Sequence, residues 1–435
     1  MVQKNEQLSL PADTLTDFLL HLSRQRGFVQ FTNRGGPEQR FSAWPARTWA
    51  LPAEPEAFAA CLKNIDAAHH KMARGAGAIA GVCFYEAGRH TQPGFVSRGA
   101  GSTGSLGYVG QYLWQLTVKD PGNDQPAILE FHPACPEADR AQVRALVMRT
   151  RCPDPDFRLV SEFKPDTSAG HYRQGVERIL QLIHAGDCYQ VNLSQKFTSR
   201  FTGQPYVAFL ALTESIPVPH SAYLDAGDYQ VLSISPEMFL KIESGEVTSK
   251  PIKGTRPRHS EPEEDRQLAE SLRTNPKDRA ENLMIVDLIR NDLSHFCTPF
   301  SVKVPELFRI ESYRNVHQLV STVTGRLRPG VSALQALISA FPGGSITGAP
   351  KRRSMEIIEE LEAHDRGPYC GSLFWWDYHD RLESNIAIRT LMTESSGRIH
   401  CWAGCGIVAD SSPAEEYEES ITKVRRLMDT LEALG

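Results

Sequence analysis

HYRQGVERILQLIHAGDCYQVNLSQKF, residues 171–197, holds both element types of this chain side by side. Val176, Ile179, Leu180 and Ile183 recur at helical spacing, and Gly186 ends the helix. YQVNLSQKF, 189–197, then reads as a strand. Upstream, CPDPDFRLVSEFKPDTSAG at 152–170 is rich in proline and polar residues and reads as a linker. The 150 residues at the N-terminal end are punctuated by glycine and proline, as in RGGPEQR (34–40), GAGAIAG (75–81) and SRGAGSTGSLG (97–107). Helical stretches such as 54–73 alternate there with short apolar runs such as 79–86. Strands and helices thus follow in mixed order without regular βαβ alternation, which predicts an α+β fold.

The composition is globular: 435 residues, 41% hydrophobic and 23% charged, which excludes wholesale disorder. The net charge of −5 argues against a generic nucleic-acid binder, which needs a basic surface for phosphates. MVQKNEQLSLPADTLTDF carries no apolar run of the signal-peptide kind, and no stretch reaches the roughly 18 apolar residues of a membrane helix. Nine cysteines, scattered and odd in number, form no disulfide framework. Cys401 and Cys405 lack a second ligand pair at zinc-site spacing. A cytoplasmic protein is expected, without membrane or nucleic-acid partners. No repeat of roughly 20–50 residues is present, so solenoids and propellers are excluded.

Residues 230–255, QVLSISPEMFLKIESGEVTSKPIKGT, read as a hairpin around Glu243-Ser244-Gly245. In that register Ile242 opposes Glu246 and Glu237 opposes Pro251. Glu237 and Lys253 become diagonal neighbours on one face, with Cβ atoms about 7–8 Å apart. A buried, neutral lysine is a nucleophile, and a glutamate of raised pKa is a general acid. The same pair also suits a solvated surface ion pair.

Two helices carry paired carboxylates. KDRAENLMIVDLIRNDL, 277–293, places Asp278 and Glu281 on one face of its first turn. The C-terminal helix begins with Ser412 as N-cap, Pro413 at the first helical position and Glu415 completing a capping box. Glu416, Glu419 and Lys423 fall within about 60° on that helix, apart from an apolar stripe of Tyr417, Ile421, Val424, Met428 and Leu431. Carboxylates meeting from two helices suit Mg²⁺; acids near helix N-termini also simply complement the macrodipole. FPGGSITGAPK, 341–351, is a glycine-rich turn opening a helix but not a P-loop, because no Ser or Thr follows Lys351. Arg389 in SNIAIRTL sits in an apolar alternating strand, where it needs a partner, a substrate carboxylate being one candidate. His317 in NVHQLVSTVTG is a polar residue in strand-like company, either a satisfied core histidine or a catalyst.

Seven blocks in order resemble the chorismate-utilising enzymes: GDCYQVNLSQ (186–195), ISPE (234–237), PIKGT (251–255), residues 277–293, SVKVPELF (301–308), FPGGSITGAPK and GIVADSSPAEEYEESITKV (406–424). The resemblance is near-continuous from about 171 to 430 and weakens toward the N-terminus. It implies two stacked antiparallel sheets with helices outside, the N-terminal region 1–155 being integrated with the core and 156–435 forming the chorismate-binding catalytic region. It further implies that Glu281 and Glu419 bind Mg²⁺ directly while Asp278 and Glu416 hold its waters. Tyr369, Arg389, Lys423 and the backbone at Gly404 and Gly406 match positions that bind substrate carboxylates. Thr347 and His317 match positions facing the ring. Cys405 stands where the family carries glycine.

Two positions separate the branches. Lys253 in PIKGT resembles the nucleophilic lysine of the branch that forms 4-amino-4-deoxychorismate, where anthranilate synthases carry alanine. Gln190 stands where isochorismate and salicylate synthases carry a water-activating lysine, and glutamine cannot act as a base. The resemblance therefore implies amination of chorismate at C4 by ammonia, through a covalent Lys253 intermediate with Glu237 as general acid. No glutaminase elbow exists around any cysteine, since Cys405 is flanked as A-G-C-G-I. A separate glutamine amidotransferase partner is expected. An anthranilate-type synthase and a non-catalytic chorismate- or tryptophan-binding homologue are the alternatives.

Overall fold

A computed structural model describes residues 6–8, 12–32, 38–72, 74–92, 94–95, 104–119, 127–147, 156–313 and 316–435. Its strands form a 13-stranded and a 10-stranded sheet, antiparallel at every described pairing that the site depends on. The sheets interleave distant segments. Strand Val29–Thr32 pairs with His220–Asp225 in the larger sheet, and Ala78–Cys83 pairs with Ser372–Asp377 in the smaller.

Side-chain alternation explains the layering. Along Tyr229–Ser235, Val231 enters a core shared with Leu240, Ile242, Val323 and Trp375 of the smaller sheet. Its neighbours Leu232 and Ile234 enter a second core on the opposite face. Helices roof that second core with Phe209 and Leu212, and with Val424, Leu427 and Leu431. Each such buried side chain contributes about 1.5–3 kcal/mol, so the two faces fix the register of the sheet.

The helix read at 171–185 spans Ala169–His184, with Ser168 Oγ accepting from His171 N. The following strand is longer than its sequence pattern, Gln190–Gly203, and pairs with Arg398–Ile407 from Val191↔Ile407 to Arg200↔Arg398. The linker assigned to 152–170 is corrected in its described part. Phe157–Leu159 and Lys164–Pro165 are short strands on Gln190–Gly203. Exposed polar side chains there mark an edge of the sheet rather than a free segment.

The hairpin register also differs from expectation. Glu243 opposes Glu246, so the loop is the two residues Ser244-Gly245, with φ of 53° and 75°. Positive φ at both positions is the type I′ geometry whose twist matches the strands. At the C-terminal helix, Pro413–Glu432, Ser412 is the N-cap but its side chain makes no capping bond. Ser411 Oγ instead donates to Glu416 Oε1 at 2.6 Å and accepts from Val408 N. Among the described residues no helix is long and apolar enough to cross a membrane.

Candidate active site

A cavity of about 640 Å³ opens between the two sheets' ends and two helix N-termini. Lys253 lines it from strand Ile252–Pro257. That strand pairs with Val316–Arg326, not with Met238–Glu243, so the diagonal relation expected from the hairpin does not exist. A register break between Ile252 and Thr255 frees Lys253 from the regular ladder. Gly254, at φ +82°, lets the Asp278 carboxylate approach; a Cβ there would lie 2.9 Å from its oxygen.

Glu237 reaches the same cavity from the bend after strand Tyr229–Ser235. It is buried, and its carboxyl is hydrogen-bonded by the Ser345 hydroxyl and the Ile252 N–H. Burial pushes this carboxyl up to about 7, against the pull of Lys253 and those two bonds. Burial pushes the Lys253 amine down; Glu237, Glu281 and Glu419 oppose the shift and Lys423 adds to it. The acid and the amine are thus displaced in opposite senses by one low-dielectric environment.

The helix Pro276–Ser294 starts at Asn275, whose Oδ1 accepts from Asp278 N at 3.0 Å. This cap aims Asp278 and Glu281 into the cavity, opposite Glu416 and Glu419 of the C-terminal helix. Arg256 holds Asp278 at 2.8 Å, and Lys423 holds Glu419 at 2.8 Å. Glu281 has no ion-pair partner among the described residues. Ligand atoms of Cys405, Glu416 and Glu419 lie within 4.8 Å of one another. The carboxylates are hard oxygen donors able to hold a divalent cation, while the Cys405 thiol is soft and is tied to Glu416 O and Lys423 Nζ.

Tyr369, Arg389, Gly404 and Gly406 complete the far wall. Arg389 is not on a strand: it occupies φ 51° between Leu382–Asn385 and Thr390–Glu394. Burial, reinforced by Arg426, lowers its pKa, and its guanidinium has no ion-pair partner among the described residues. A half-buried cation without a counter-charge calls for an anionic ligand.

Two expected ring-facing residues do not line the cavity. His317 Nδ1 bonds Ser312 Oγ at 2.8 Å and Nε2 bonds Asp265 Oδ1 at 2.9 Å, so both ring nitrogens are committed elsewhere. Thr347 is fully buried and donates to Gly343 O at 3.0 Å. Its place in the wall is taken by Ser345 and Ile346 from the same glycine-rich turn.

Sequence reasoning missed the support behind this wall. Arg366 donates to Glu362 Oε2 at 2.9 Å and Oε1 at 2.7 Å, to Ile346 O at 3.1 Å and to Asn192 O at 2.8 Å. It stacks 4.5 Å over Tyr85. Glu86 Oε1 accepts from Arg366 N at 2.9 Å and Gly367 N at 3.1 Å. These partners are up to 281 positions apart, and no local pattern announces them. Burial pushes Glu86 up to about 7 from its ordinary 4.5. A raised acid pKa contributes stability that is complete below about 4.5 and lost as pH rises through about 7. Glu86→Gln should therefore flatten the pH dependence of Tm across this window and remove a penalty on the order of 3 kcal/mol above it. Thermal melts from pH 4 to 9 check this; an unaltered slope would assign the dependence to another group.

A family model described as chorismate binding enzyme matches residues 23–429. Aminodeoxychorismate synthase component 1 of Salmonella typhimurium is 44% identical over 324 residues, 74% of this chain and 70% of that one. Its Escherichia coli namesake is 46% identical over 324 residues, with the same coverage of 74% and 70%. The crystal structure of anthranilate synthase component I from Streptococcus pneumoniae superposes with a TM-score of 0.79 at 28% identity, covering 90% of this chain and 92% of that one.

Proposed function

Because the chain belongs to the chorismate binding enzyme family, we propose that it aminates chorismate at C4 to 4-amino-4-deoxychorismate, using ammonia from a separate glutamine amidotransferase. The observation that carries this is the meeting of Lys253 and Glu237 in one cavity, the amine's pKa pushed down and the carboxyl's up to about 7. The names of the relatives, component 1 of a synthase, support both the reaction and a partner subunit. The described cysteines are free thiols, which suits a reducing cytoplasm; Cys152 lies outside the described residues.

Glu281 and Glu419, with Asp278 and Glu416 around them, would hold Mg²⁺, since their hard oxygens fit that ion. When bound, it would neutralise and orient a substrate carboxylate. Arg389 and Tyr369 receive the other carboxylate at the far wall. Neutral Lys253 Nζ bonds to C2, both ring double bonds shift one position (C1=C2 to C1=C6, C5=C6 to C4=C5), and the C4–O bond breaks. Glu237 gives its proton to the departing hydroxyl, which leaves as water. Ammonia then bonds to C4, both double bonds shift back, and the C2–N bond breaks to release neutral Lys253. The Glu237 carboxylate takes the excess proton from the new ammonium group, restoring the starting state.

Incubation with chorismate, Mg²⁺ and ammonium tests the proposal by chromatography and mass spectrometry. 4-Amino-4-deoxychorismate is expected with ammonium, and no turnover with glutamine alone. Fluorescent anthranilate with release of pyruvate would overturn the assigned reaction, and unaided use of glutamine would overturn the assigned partner.

A further inference from the structure

Asn192 is the one carboxamide in the cavity wall whose carbonyl oxygen is shielded from solvent without a donor among the described residues. Its residue is more than nine-tenths buried, at 8% exposure. Its main chain is pinned from both sides: the N–H donates to Thr347 O at 2.8 Å, and the carbonyl accepts from Arg366 Nη2 at 2.8 Å. Room for the side chain exists because residue 404 is glycine; a Cβ there would lie 2.8 Å from Asn192 Oδ1. A fixed, buried and unmatched amide oxygen is unfavourable, and a ligand that donates to it recovers that loss.

Other side-chain acceptors at the cavity include the carboxylates Asp278, paired with Arg256, and Glu419, paired with Lys423, and the carboxamide of Gln318. A carboxylate beside ammonia stabilises ammonium, which has no lone pair for C4. A neutral amide oxygen accepts an N–H while favouring the charged form far less than a carboxylate does. Rotation about the Cβ–Cγ bond, a soft two-fold torsion, turns either end of the amide toward the cavity. We propose that Asn192 holds the incoming ammonia through its carboxamide oxygen and so determines the nucleophile. This rests on the amination reading above.

Steady-state kinetics at varied ammonium test it. Asn192→Leu should raise the KM for ammonium at least tenfold and leave the KM for chorismate within twofold. The covalent adduct formed from chorismate and Mg²⁺ without ammonia should keep its yield. Asn192→Asp preserves the shape and carries the same test if the leucine variant does not fold. An unchanged ammonium KM, an equal rise in both KM values, or loss of the adduct would overturn the role of Asn192. Absence of an adduct in the unmodified protein would instead strike the amination mechanism itself.

Discussion

Lys253→Ala should abolish the covalent adduct with chorismate and reduce turnover roughly 10³-fold or more. The cost is large because the amine does not merely contribute charge. It divides one displacement of hydroxide into two allylic substitutions, and an alanine leaves only the undivided reaction. Chorismate affinity should change by less than about threefold, since the carboxylate contacts at Arg389 and Tyr369 remain. Lys253→Arg should not rescue, because a guanidinium stays protonated where a desolvated amine loses its proton. Intact-protein mass spectrometry after incubation with chorismate and Mg²⁺ provides the readout. An adduct of undiminished yield in the alanine variant would remove Lys253 from the mechanism.

Glu237→Gln should lower kcat by about 10²–10⁴ with little change in chorismate binding, the range for losing a placed general acid. Glutamine keeps the shape and can still accept from Ser345 and the Ile252 N–H. It has no proton to give to the departing hydroxyl. The sign of the pH effect follows from the raised pKa: the carboxyl is protonated and competent below about 7 and loses that competence as pH rises through it. The alkaline limb of the kcat profile should therefore fall near 7 and be absent from the residual activity of the variant. A loss of affinity equal to the loss of kcat would make Glu237 a binding residue instead.

The chemistry was legible because it is carried by contiguous words. PIKGT presents Lys253, ISPE presents Glu237, and each carboxylate pair lies within one helical turn. The start of the C-terminal helix was readable from its residues, Ser412-Pro413, whereas the Asn275 cap of the other helix went unread. The capping box was not formed: the Ser412 side chain makes no capping bond, and the neighbouring Ser411 bonds Glu416. Arg389 shows the converse error. Its apolar neighbours imitate a strand, yet the chain turns through positive φ there to send the guanidinium inward. His317 lost its expected place to Ser312 and Asp265, the latter 52 positions away, which no local pattern can foresee.

Residue order alone determined which side chains exist in reach of their own helix or turn, because those relations depend on spacings of a few residues. Whether Lys253 is stripped of water beside Glu237 was decided only by tertiary packing. The hairpin expected to join them has a different loop, and the two strands bond to different neighbours. They meet because a bulge, a glycine and the closing of two sheets leave both in one low-dielectric space. Desolvation is a property of the surrounding volume, and volume is assembled from segments hundreds of residues apart.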